Sequence, residues 1–130
     1  MHFQHLYALI VEDDDILQLI MQKALDGQGI RNKAVGNGIE ALRALNSKEF
    51  DFIIMDINMP EQDGLDAARW IRDERDDYFK KIPIFALTSY GTPEHTAEII
   101  DAGMNEHMVK PFEMRKLLQY LMKYFGEQKQ

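Results

Sequence analysis

The sequence predicts an α/β fold, a five-stranded parallel sheet covered by helices on both faces. Three observations predict it. Short apolar runs alternate strictly with stretches whose apolar residues recur at helical spacing. Acids, hydroxyls and a lysine follow the apolar runs, as ligand-binding residues do at the carboxyl ends of a parallel sheet. The 130 residues suit one domain, 1–130, since domains most often run to about 100–150 residues. Strict alternation implies right-handed crossovers, because each helix must lie on the sheet to bury its stripe.

Leu6 to Val11 is an apolar run too short for a helix, as expected of a strand buried on both faces. Asp14 or Asp15 can cap the helix that follows, whose stripe is Ile16, Leu17, Ile20, Met21, Ala24 and Leu25, and Gly27 and Gly29 end it. Ile30 to Val35 carries Arg31, Asn32 and Lys33, a polar interruption that suits an edge strand. After the turn Gly36-Asn37-Gly38, a short helix repeats Ile39, Leu42 and Leu45 and stops near Asn46 and Ser47. Phe52 to Met55 is the third strand. A turn-rich segment from Asp56 to Gly64 leads to a helix over about 65–75 that buries Leu65, Ala68 and Ile71 and leaves Trp70 partly covered.

Ile82 to Leu87 is the fourth strand, with Pro83 near its start, where a missing N–H disrupts least. Thr92 and Pro93 open the fourth helix as N-cap and first residue, and Ala102-Gly103 closes it. A brief strand follows, Glu106 to Val109. The fifth helix carries Met114, Leu117, Leu118, Leu121, Met122 and Phe125 on one stripe.

Composition narrows function. An apolar share of 45% and a charged share of 28% are those of a soluble globular protein. No apolar run approaches the roughly 18 residues of a membrane span, and the N-terminus has no signal-peptide pattern. The net charge of −7, with basic residues dispersed, argues against nucleic acid as a partner. Absence of cysteine excludes disulfides and thiolate chemistry and fits a cytoplasmic protein. Any metal must take oxygen or imidazole ligands.

The predicted topology brings Glu12, Asp13 and Asp14 after the first strand to the same end as Asp56 after the third, Thr88 and Ser89 after the fourth, and Lys110 after the fifth. Two carboxylates about 4 Å apart repel by roughly 4 kcal/mol at an effective dielectric near 20. Glu12, Asp13 and Asp56 therefore need a compensating cation. Oxygen ligands select a hard ion, and Mg²⁺ characteristically combines one or two carboxylates with water and phosphate oxygens. Such a site suits phosphoryl transfer: Asp56 as nucleophile, with Lys110 and the Thr88 hydroxyl steadying the transferred oxygens. Each residue alone fits an ordinary structural role, as helix cap, turn residue, loop hydroxyl or solvated cation. Their joint placement is what favours chemistry.

Through Leu9-Ile-Val-Glu-Asp-Asp14, Met55-Asp-Ile-Asn-Met-Pro60 with Gly64, Ala86-Leu-Thr-Ser89 and Lys110-Pro111, the sequence resembles the response-regulator receiver family of two-component signalling. The resemblance spans nearly the whole chain. It implies a flavodoxin-like strand order 2-1-3-4-5, with Glu12 and Asp13 as Mg²⁺-binding acids and Asp56 as phosphoacceptor. The Asn58 backbone carbonyl would be a further metal ligand, Lys110 the phosphate-sensing cation, and Lys110-Pro111 a cis bond. Thr88 would be the switch hydroxyl. Where the family usually has Tyr or Phe as its second switch residue, this chain has His107. The implied phosphodonor is a histidine kinase or a histidine phosphotransfer protein. A downstream protein or a second copy would meet the face formed by the fourth helix, fifth strand and fifth helix. The stretch from Ala102 to Pro111 looks most like receivers attached to hybrid sensor histidine kinases.

Two other readings compete. Haloacid-dehalogenase-like phosphatases also use a strand-end Asp with Mg²⁺, but their second Asp, two residues on, is Asn58 here. A P-loop, a GxGxxG and a cap are also missing, which leaves a separate substrate without a visible site. A pseudo-receiver scaffold would bind partners without phosphorylation, yet every acceptor and metal position keeps its functional residue type. The expected behaviour is therefore that of a phosphoacceptor, with at most slow self-dephosphorylation.

Overall fold

Continuous apolar runs become the central strands, and helices cover both faces. The structure, a computed structural model, describes residues 3–58, 64–74, 76–89 and 91–126. In chain order the elements are β1 (Tyr7–Val11), α1 (Asp15–Gly27), β2 (Arg31–Val35), α2 (Gly38–Ser47), β3 (Phe52–Asp56), α3 (Gly64–Asp73), α4 (Asp77–Lys81), β4 (Ile84–Thr88), α5 (Pro93–Asp101), β5 (Glu106–Val109) and α6 (Met114–Phe125). The strands form one parallel sheet in the order β2-β1-β3-β4-β5. This is the fold class the sequence predicts. The turn-rich segment beyond Asn58, with Met59 and Pro60, and the predicted helix end at Arg75 lie outside the described residues.

Side-chain alternation divides the interior in two. Leu9, Val11, Ile53, Met55, Ile84 and Ala86 pack with residues of α2, α3, α4 and α5. Ala8, Ile10, Phe52, Ile54, Phe85 and Leu87 face the other way, onto Met21 and Leu25 of α1 and Leu117 and Leu121 of α6. β1, β3 and β4 are buried on both faces, which is why they read as unbroken apolar runs. β2 is an edge strand as expected. Its exposed Arg31 lies 4.8 Å from the centre of the Tyr7 ring, a cation–π contact that covers part of β1.

Four expectations need correction. Among the described residues six helices are present where five were expected. Asp76 caps the extra one, α4, by accepting from the Tyr78 N–H, and Phe79 anchors it in the core. The Tyr78 hydroxyl accepts from Phe50 N at 2.6 Å and donates to Phe50 O at 2.9 Å, which pins this single turn to the approach of β3. The expected fourth and fifth helices are thus α5 and α6. Second, α1 buries Met21 and Leu25, while Ile16, Leu17 and Ile20 face outward, Ile16 being 70% exposed. Third, α2 turns Ala41, Ala44 and Leu45 inward and leaves Ile39 exposed. Fourth, β4 begins at Ile84, after Pro83, whose carbonyl accepts from Ile53 N at 2.9 Å.

Among the described residues no helix is long and apolar enough to cross a membrane.

Candidate functional site

Parallel registry sets the site. Val11 aligns with Met55, Asp56 with Leu87, and Thr88 with Val109. The residues leaving β1, β3, β4 and β5 therefore emerge at one edge of the sheet. Glu12, Asp13 and Asp56 meet there, each offering a carboxylate oxygen within 4.8 Å of the others. Glu12 and Asp56 are buried, at 1% and 2% exposure, whereas Asp13 reaches solvent.

Two donors among the described residues meet one oxygen of Asp56. Its Oδ1 accepts from Lys110 Nζ at 2.9 Å and from the Asn58 backbone N–H at 2.9 Å. The Asn58 side-chain oxygen accepts from Ser89 N at 2.9 Å, which ties the turn after β3 to the end of β4. Lys110 precedes Pro111 through a cis peptide bond, as expected. Its own N–H donates to Thr88 O at 2.7 Å. Gly64 accounts for another motif residue: a Cβ there would sit 2.6 Å from the Asp56 carbonyl oxygen and 2.8 Å from Ile57 Cα. Only glycine lets α3 start so close to the acceptor strand.

Glu12 carries the strongest electrostatic anomaly. Its Oε2 accepts from Asp14 N at 3.1 Å, but its buried Oε1 has no hydrogen-bond partner among the described residues. Burial raises the Glu12 carboxyl from 4.5 to about 8; the Asp14 N–H opposes this and the nearby Asp56 charge adds to it. An orphaned buried carboxylate oxygen facing two further acids is where a hard cation fits. The oxygen-only donor set selects the same kind of ion. Asp14, the third acid of the run, serves instead as the N-cap of α1, accepting from Ile16 N and Leu17 N.

Thr88 is fully buried at the end of β4. Its hydroxyl lies 2.9 Å from Nε2 of His95, a residue of α5 that sequence reasoning did not single out. The other ring nitrogen of His95 lies 3.2 Å from Glu98 Oε1. No spacing rule marks such a bond, since it joins a strand end to the helix after it only once both are placed. His107 is half-buried on β5, aligned with Ala86, and its carbonyl accepts from the Tyr120 hydroxyl at 2.6 Å.

A cavity of about 430 Å³ opens beside the acids. Glu12 and Lys110 line it together with Leu17, Ile20, Pro111 and Phe112.

Comparison with known proteins agrees with this geometry. The family described as "Response regulator receiver domain" matches residues 8–122. The rice (Oryza sativa subsp. indica) protein named "Probable histidine kinase 2" is 36% identical over 128 residues, covering 88% of this chain and 12% of the kinase. The sensor histidine kinase GacS of Pseudomonas protegens is 33% identical, covering 92% of this chain and 13% of its own length. The chain thus spans only about an eighth of these kinases. Among solved structures, the receiver domain of the sensor histidine kinase PA1611 from Pseudomonas aeruginosa PAO1 superposes with a TM-score of 0.82 at 32% identity. The match covers 94% of this chain and 98% of that one, and that structure holds a magnesium ion coordinated in its active-site cleft.

Proposed function

This chain belongs to the response regulator receiver domain family, and we propose that it accepts a phosphoryl group on Asp56 from a phosphohistidine and relays that event through its surface. One observation carries the reading: a buried Asp56 whose Oδ1 is bonded to Lys110, set against Glu12 and Asp13 with a buried Glu12 oxygen left over. Glu12, Asp13, Asp56 and the Asn58 carbonyl would hold Mg²⁺. When bound, the ion supplies positive charge that offsets the acids and the phosphoryl oxygens.

The chain's own groups do the rest. Both described donors to Asp56 bond Oδ1, and in this reading Oδ2 is the nucleophile. As Oδ2 bonds to phosphorus, the phosphorus–nitrogen bond of the donor histidine breaks and its electron pair leaves with the imidazole. The Lys110 ammonium and the Thr88 hydroxyl stabilise charge on the transferred oxygens. The protein is altered by this step, so it acts as a signalling domain, with at most slow self-dephosphorylation.

The donor must bring its histidine to Asp56, and the cavity bounded by Leu17, Ile20, Phe112, Glu12 and Lys110 is continuous with the site. The outward apolar face of α1 supports docking of a histidine kinase or histidine phosphotransfer protein there. Asn58 disfavours a dehalogenase-like phosphatase, since its side-chain oxygen is occupied by Ser89 N and an amide supplies no acid.

Acetyl phosphate with Mg²⁺ is expected to label the protein once, at Asp56. Asp56→Asn should abolish the label, because a neutral amide is a poor nucleophile. Undiminished labelling of the variant would exclude Asp56 as the acceptor.

A further inference from the structure

Basic residues that the sequence disperses converge at one cavity that the phosphoacceptor site does not share. Val35 of β2 packs with α2 in the interior, and Lys33, two residues earlier on the same strand, stands on the same face of the sheet. On α2, Arg43 and Ser47 are one turn apart and project to the same side, and Lys48 is the C-cap residue. These side chains line a cavity of about 420 Å³ between β2 and α2, with Val35, Ala44 and Phe50 as its apolar lining. That volume falls within the roughly 300–1,000 Å³ of ordinary ligand sites.

Charge is unbalanced there. Lys33, Arg43 and Lys48 have no carboxylate at ion-pair distance among the described residues. Glu40, the only acid on that lining among the described residues, is turned to the start of α2, where its Oε1 accepts from Gly36 N at 2.8 Å. A lysine on an edge strand discourages strand pairing, and a lysine at a helix C-terminus complements the helix dipole. Neither role calls for three cations around one apolar hollow in a chain of net charge −7. Arg43 adds a planar fork suited to a carboxylate.

We propose that this cavity docks an acidic peptide segment of a partner protein. An apolar side chain of the segment enters against Val35, Ala44 and Phe50, while flanking carboxylates meet Lys33, Arg43 and Lys48. β2 is the last strand on its side of the sheet, so an extended segment can lie along it. A nucleic acid fits less well, because its many phosphates would meet the net negative charge of the whole molecule. A short peptide confines its charge to the basic rim. None of Glu12, Asp56 and Lys110 lines the cavity, so the inference is independent of the phosphoacceptor reading.

The probe is the capped peptide acetyl-Glu-Glu-Leu-Glu-Glu-amide, titrated into the ¹⁵N-labelled protein in EDTA at low salt and followed by backbone amide spectra. Saturable shifts are expected at the lining residues, from Lys33 to Val35 and from Arg43 to Lys48, with the amides around Asp56 unmoved. Replacing every Glu of the peptide by Gln should abolish binding. Replacing its Leu by Ser should weaken binding about tenfold, the loss of one buried apolar side chain. Lys33→Glu with Arg43→Glu, at exposed positions where substitution costs little stability, should also weaken it about tenfold or more. Lys23→Glu with Lys81→Glu changes the net charge equally at exposed positions elsewhere and should leave binding as it was. No shift at the lining residues, shifts spread over basic residues outside the cavity, equal weakening by the two double variants, or unaltered binding of the Ser peptide would each overturn the proposal. So would a single-stranded DNA oligonucleotide that moves the lining residues when the peptide does not.

Discussion

Glu12 is the residue where burial and charge are most out of balance, and its behaviour with pH follows from that. With its folded value at about 8 against 4.5 for the ordinary carboxyl, the metal-free native protein keeps a proton that the unfolded chain has already lost between those two values. The native state binds more protons there, so stability falls as pH rises. The Glu12 contribution is fully present below pH 4.5 and is lost as pH climbs through about 8. Mg²⁺ has to displace that same proton, so its affinity should climb over the same window. Melting temperatures measured across pH in chelator and in Mg²⁺ check both effects. At a hundred times its dissociation constant Mg²⁺ should add about 2.7 kcal/mol, and Glu12→Gln should flatten the chelator profile and weaken the Mg²⁺ response. A variant with the wild-type slope and Mg²⁺ shift would remove Glu12 from the metal site.

At the scale of elements, the strands were legible and the sides of the helices were not. β1, β3 and β4 are buried on both faces, and an unbroken apolar run of about five residues suits a central strand far better than a helix. α1 misled because it is apolar nearly all round: Ile16, Leu17 and Ile20 fit helical spacing as well as Met21 and Leu25 do, and only packing tells which side the sheet takes. α4 was invisible because so short a helix spans too few turns to show a period, and its support comes from Tyr78 bonding to Phe50, 28 positions earlier. The acids, Asp56 and Lys110 could be grouped because strand order alone brings them together, whereas the Thr88–His95 bond depends on where one side chain of α5 points. The docking role proposed for the exposed side of α1 can be checked. Leu17→Glu with Ile20→Glu alters exposed positions, where substitutions usually stay within about 0.5 kcal/mol of neutral stability. Transfer from a purified phosphorylated histidine phosphotransfer domain should fall about tenfold or more, while labelling by acetyl phosphate is retained. Equal loss from both donors would mean that the face supports the site and does not dock a partner.

At the scale of the whole molecule, the exposed large apolar residues among those described fall mainly on two regions, with Ile39 and Trp70 lying apart from both. One is α1, with Ile16, Leu17, Leu19 and Ile20; the other comprises α5, β5 and α6, with Ile100, Val109 and Met122. The first borders the cavity at the acids, which suits an incoming donor, and the second leaves the face expected to meet a downstream protein or a second copy. On the sheet face opposite α1 lies a hydrogen-bonded frame. Arg72 on α3 donates to Gly103 O at 2.9 Å, to Phe79 O at 3.0 Å and to Asn105 Oδ1 at 2.9 Å, binding α3, α4 and the α5–β5 turn together. Asn105 Oδ1 also accepts from Ile84 N at 2.8 Å, at the start of β4. The far end of α5 is thus fastened to the frame, while its near end is held by Thr92 and His95. A change at Thr88 is therefore expected to move the first turn of α5 and the neighbouring β5 more than the α5–β5 turn. Backbone amide spectra with Mg²⁺ and beryllofluoride, a stable mimic of the phosphoryl group, in wild type and Thr88→Ala, measure this residue by residue. In wild type, shifts should extend from the loops around Asp56 into α5, β5 and α6, and be largest in the stretch near His95. In Thr88→Ala the loops should still respond while α5 stays near its resting positions, since the hydroxyl that links them is gone. Wild-type changes confined to the loops, with α5, β5 and α6 unmoved, would mean that the signal leaves by another face of the molecule.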